Sequence, residues 1–223
     1  MAGKTYTWTA TASSTWGIGS NWSPVGPPTA ADTARVPSGS IQINSGTIGI
    51  TDLSLGGSLT GPTSGQAGIS VLTGGALLVS DAMAIWTGSV LSVDAASFVD
   101  IGTSGSAAAG SILVESGHYL LGDGEIVGAV VNNGTIDASN TGTLAASTGG
   151  DLTIQGAVSG SGTMNIEPGA TLQMEGSISA GETINFVAGG APETLILQQP
   201  SGTIGTAING FADGDNIEFS GIM

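Results

Sequence analysis

The chain has 223 residues and no cysteine, with 39 glycines, 8 prolines, and 17 acidic side chains against 2 basic ones for a net charge of −15. With Lys4 and Arg35 as its fixed cations it has no phosphate-neutralising surface, which excludes nucleic-acid binding and attraction to an anionic bilayer. A hydrophobic content of 40% predicts a buried core, no apolar run reaches the ~18 residues of a membrane span, and the lack of cysteine removes disulfides, thiolate metal sites and cysteine nucleophiles.

The first segment, residues 1–35, holds Trp8, Trp16, Trp22 and the prolines Pro24, Pro27 and Pro28. Met1-Ala2-Gly3-Lys4 leads into Thr5-Tyr6-Thr7-Trp8-Thr9-Ala10-Thr11 instead of an apolar leader core, so no cleaved N-terminal signal is expected. That threonine-rich run alternates like a strand, and the segment reads as a cap or docking strand.

From residue 36 to 223 the text is Gly, Ser, Thr, Ala, Ile, Leu and Val, in short alternating groups such as Ile41-Gln42-Ile43, Leu152-Thr153-Ile154 and Leu195-Ile196-Leu197. Each group is bounded by Gly, Ser or Asn, which predicts short strands with tight turns. Ile69-Ser70-Val71, Leu91-Ser92-Val93 and Ile112-Leu113-Val114 start about 20 residues apart, each followed by a small-residue turn. Met164-Asn165-Ile166 with Gly169-Ala170-Thr171-Leu172 repeats the scheme. This period, with short strands in each repeat, predicts an all-β, right-handed parallel β-solenoid with strands from about 33 to 219. A sandwich or jelly roll also has short strands and Gly-rich turns, but does not by itself repeat one local pattern. Sharp corners favour Gly and Asn, a narrow interior favours Ile, Val, Leu and Ala over aromatics, and stacked coils favour uncharged Ser and Thr.

The stretch from Trp8 to Trp16, Asn21-Trp22-Ser23, Pro27-Pro28 and Ala31-Asp32-Thr33-Ala34 resembles the opening module of large proteobacterial secreted proteins of the autotransporter-like and haemagglutinin-like β-helix type. Val131-Asn132-Asn133-Gly134-Thr135-Ile136 and Gly181-Glu182-Thr183-Ile184-Asn185-Phe186 are similar to their repeats. The run from Ile208 to Phe219 resembles a segment found near the C-termini of type I-secreted proteins. The resemblance implies a secreted, extracellular or cell-surface β-helix, with type I secretion as a route.

For chemistry the sequence offers little. His118 is the only histidine and reads as a turn or surface residue, and no Gly-x-Ser-x-Gly elbow occurs. Asp81, Asp94 and Asp100, or Asp123 and Glu125, are the candidates for a glycosidase pair, but almost no Lys, Arg or His stands ready to bind an acidic sugar. No catalytic turnover is expected. Asp213, Asp215 and Glu218, set around Gly214, are hard oxygen donors suited to calcium, although the same residues also read as a solvated Asp-Gly turn. The first expectation is an extracellular structural protein that self-assembles as a homo-oligomer or homopolymer into a fibre, sheet or surface layer. Thr5, Tyr6, Thr7, Trp8 and Thr9 at one end, with Ile217 and Phe219 at the other, are its contact residues. The rivals are an adhesin binding a surface polysaccharide, which needs Trp16, Trp22 or Trp86 exposed for sugar stacking, and a carbohydrate-active enzyme.

Overall fold

Alternating apolar residues punctuated by glycine favour extended backbone, and the computed structural model is built almost wholly from it. The structure describes residues 3–58, 61–62, 65–86, 89–93, 97–102, 107–139, 150–198 and 205–220. Among the described residues, helix is confined to the 3-10 turn Gly19–Asn21. The strands form a 14-stranded sheet, a 9-stranded sheet and a small antiparallel hairpin of Gly57–Ser58 with Gly61–Pro62. The two large sheets are parallel throughout, except where Trp22–Ser23 runs antiparallel to Thr5–Trp8.

The larger sheet has two arms. Gly46–Leu55 and Gly75–Ile85 run through both, with a register shift between Val79 and Ala82. Before that shift Ala76–Val79 pairs with Phe98–Ile101, whereas after it Ala82–Ile85 pairs with Tyr119–Gly122. The smaller sheet supplies the third strand of a coil, and the chain returns to each ladder one rung higher, an arrangement consistent with a β-solenoid.

Inward positions stack into continuous apolar columns. In the smaller sheet the register runs Ile41, Ile69, Leu91, Ile126, Ile154, Met174, Leu197, Phe219. In one arm of the larger sheet it runs Ala34, Leu53, Met83, Leu120, Ile136, Met164, Ile184, Ile208. Nearly all of these are fully buried, at roughly 1.5–3 kcal/mol for each large side chain. Outward positions stack too: Asn185 Nδ2 donates to Asn165 Oδ1 at 3.2 Å, and Asn209 Nδ2 to Asn185 Oδ1 at 3.2 Å.

The register also corrects the repeat alignment. Ile69 and Leu91 are direct neighbours, but the next rung is Ile126. Ile112 stacks on Val99 in the larger sheet. All faces of a coil use the same Val/Ile/Leu alternation, so the local pattern does not say which face a strand joins.

At the first coil Thr5–Trp8 lies between Trp22–Ser23 and Thr33–Val36. Trp22 packs between Trp8 and Trp16, with ring centroids 5.0 and 4.8 Å away, and its Nε1 donates to the Trp16 carbonyl at 2.9 Å. All three belong to the same core cluster as the later coils, and the residue 35/36 boundary falls inside the strand Thr33–Val36. Asp32 ties the entry down, accepting from the Lys4 main-chain N–H at 2.8 Å and from the Thr29 main-chain N–H and hydroxyl at 2.8 and 2.7 Å.

Candidate functional site

One corner of the coil stack gathers acids. It is the turn from the second arm of the larger sheet into the smaller sheet; Asp123, Glu167, Glu193 and Asp215 lie in four of its passes, with Asp137 at the edge of the adjoining strand Thr135–Ala138. Burial here is deep: Asp137 and Glu167 are each 1% exposed and Glu193 is 4% exposed. Lys4 and Arg35 both sit in the first coils, so no fixed cation reaches this corner.

Two carboxyl pairs result. Asp137 and Glu167 hydrogen-bond each other, and burial, followed by the Glu167 charge, pushes Asp137 up to about 8. Burial raises Glu167 as well, against the lowering effect of that bond. The proton is therefore held on Asp137 and shared with Glu167. One coil on, burial and then the bond and charge of Asp215 push Glu193 up to about 7. Asp215 is held below the usual carboxylate range, first by the Glu193 side chain, with further donors in the main-chain N–H groups of Glu193 at 3.1 Å and Ala212 at 2.7 Å. Asp137 Oδ1, Glu167 Oε2 and Glu193 Oε1 are buried with no N–H or hydroxyl donor directed at them.

The second pair opens onto a cavity of about 220 Å³ between residues 187–193 and 210–215. Gly210 and Gly214 bend its wall, with φ of 76° and 100°, where a side chain would be strained. Of the three acids that sequence reasoning assigned to calcium, Asp213 and Asp215 line this cavity; Glu218 lies further along the strand Asn216–Phe219, beside Ile196. Glu193 was missed because no Asp-Gly text marks it. Asp137 was legible in principle: Thr135-Ile136-Asp137 shares a frame with Thr163-Met164-Asn165 and Thr183-Ile184-Asn185. Among the described residues, no group of three or more acidic or imidazole side chains converges on a metal position.

The other sequence candidates separate. Asp81 is exposed and Asp100 is buried, while Asp94 lies outside the described residues. Asp123 and Glu125 do line one shallow depression of about 280 Å³, together with Asp151, and Glu125 accepts from Gln155 Nε2. His118 Nδ1 donates to the Asp81 carbonyl at 3.2 Å. Trp16, Trp22 and Trp86 are 2%, 1% and 0% exposed, so none presents a face for sugar stacking. Trp86 sits outside the main core against Ala84 and Leu121, with Nε1 donating to the Ser58 carbonyl at 2.7 Å.

The assembly candidates also divide. Trp8 is in this chain's own core, Tyr6 packs against it, and the Thr9 hydroxyl donates to the Asn21 carbonyl at 3.0 Å. Thr5 and Thr7 pair with Thr33 and Arg35. At the other end Ile217 packs on the core, while Phe219 stands over Leu197 yet remains 55% exposed.

No protein-family model, curated protein or solved structure matches the chain.

Proposed function

We propose that this chain is a structural β-solenoid of the cell surface or extracellular space, right-handed, whose copies stack head to tail into a filament. The observation that carries the reading is the placement of exposed apolar side chains. Among the described residues the exposed large hydrophobics are Ile18 and Val25, 44% and 83% exposed, and Phe211 and Phe219, 53% and 55% exposed. The first two border the first coil and the last two belong to the final one; the described residues of the flanks carry none. An apolar surface confined to the two ends suits burial against another copy.

Strand polarity favours the same contact. Ser14–Thr15 and Asn216–Phe219 are the outermost strands of the smaller sheet, each paired on one side among the described residues. Stacked head to tail, they continue one parallel ladder. Charge favours head to tail over tail to tail, because Lys4 and Arg35 lie near the first coil and Asp213, Asp215 and Glu218 lie in the last. A heterologous contact of this kind does not close on itself and yields a filament. In this reading Trp8, Trp16 and Trp22 plug the core at the first coil, Thr5 to Thr9 hold the plug, and Ile217 and Phe219 meet the rim formed by Ile18 and Val25. Secretion to the surface rests on the resemblance of the sequence to secreted β-helix proteins.

Sedimentation and negative-stain microscopy of the 223-residue chain test this. Length-distributed oligomers are expected, growing with added salt as the net charge of −15 is screened. A Phe211→Ser, Phe219→Asp double variant is expected to stay monomeric with an unchanged circular dichroism spectrum. A wild-type chain that remains monomeric at high concentration in salt rules the assembly out.

A further inference from the structure

Two facing carboxyls with no basic side chain beside them require either a proton or a cation, and the two pairs at the acidic corner differ in how open they are. Asp137 and Glu167, each 1% exposed, are closed off and leave room for a proton only. Glu193 and Asp215 face the cavity between residues 187–193 and 210–215. Glu193 is 4% exposed, and its Oε1 has no hydrogen-bond partner.

We propose that this cavity binds a calcium ion through the carboxylates of Glu193 and Asp215, with main-chain oxygens of the two loops and water completing the shell. The ligand set is all oxygen, which excludes soft transition metals. A volume of about 220 Å³ holds an ion with several waters, since one water occupies roughly 30 Å³. Apart from its three acids the cavity is lined by glycines, alanines, Val187 and Pro192, none with a polar side chain to compete for the carboxylates. Calcium tolerates six to eight ligands in irregular geometry, whereas magnesium demands a near-ideal octahedron that these loops do not impose. Asp213 at the rim adds negative charge without having to touch the ion. The ion would cross-link the last two coils by joining the residue before Thr194–Leu197 to the residue before Asn216–Phe219. The site stands apart from end-to-end stacking, because both ligands come from one chain.

Calorimetric titration of the full chain, stripped with a chelator, decides the matter, with sodium and magnesium chloride at matched ionic strength as comparisons. One saturable calcium site is expected, with Kd about 10⁻⁴ M or tighter. Glu193→Gln and Asp215→Asn are each expected to weaken it about tenfold or more, while Glu218→Gln and Asp137→Asn leave it unchanged. Glu193→Gln replaces a carboxyl by a neutral isostere that still donates to Asp215, so its fold survives and circular dichroism checks that it does. No saturable calcium heat, equal binding of magnesium, or an affinity indifferent to both ligand variants would overturn the assignment.

Discussion

Thermal stability is expected to fall as the pH rises from about 4.5 to 8.5, and Asp137→Asn to remove a large part of that fall, with Glu193 contributing to the remainder. An unfolded Asp ionises near 3.8, whereas folded Asp137 keeps its proton up to about 8. Between those values the folded chain binds more protons than the unfolded chain, so stability declines with pH. Below the lower value both states are protonated and the group contributes nothing; above the upper value the loss is complete. A shift of this size sets a ceiling of about 6 kcal/mol, or a drop in Tm of about 10 °C or more for a chain of this length. Asparagine fits the position, because the same column continues as Asn165, Asn185 and Asn209. Its amide donates to Glu167 at every pH, so the variant is expected to melt above the wild type at alkaline pH and near it at acidic pH. Melting curves that are flat or rise with pH would refute the shared proton.

Trp22→Ala is expected to cost about 3–5 kcal/mol and to unravel the solenoid from its first coil. Trp22 is 1% exposed, and its removal takes away both tryptophan contacts and the bond to the Trp16 carbonyl. A coil touches mainly its neighbours, so the damage spreads along the stack instead of being shared by the whole chain. Hydrogen exchange measures this directly. Protection should be lost over Thr5–Trp8, Thr33–Val36 and Gly39–Ile43 and kept over Thr163–Ile166 and Ala170–Met174. Truncating residues 1–11 should act alike, since it deletes Trp8 and the strand that holds Trp22–Ser23. A variant within about 1 kcal/mol of wild type, or a loss of protection that is uniform along the chain, would show that the tryptophans do not hold that end.

The all-β class, the parallel stacking and the inward identity of Ile41, Ile43, Leu152, Ile154, Leu195 and Leu197 follow from the sequence by itself. A two-residue alternation bounded by glycine buries one side of each short strand, and the recurrence of that pattern about every 20 residues favours stacking the strands in parallel. Ladder membership does not follow. Ile112 carries the same local text as Ile69 and Leu91 but stacks on Val99, because register is set by what lies one coil away and not by the residues alongside. The fate of the tryptophans was also hidden. Trp16 and Trp22 sit among Gly, Ser and Pro, as exposed loop residues would, and only the antiparallel return of Trp22–Ser23 over Thr5–Trp8 encloses them. The acidic corner shows the same division. Asp213 and Asp215 stand out beside Gly214, while Glu193 lies 22 residues from Asp215 and becomes its partner only because one turn of the coil places the two carboxyls on adjacent rungs.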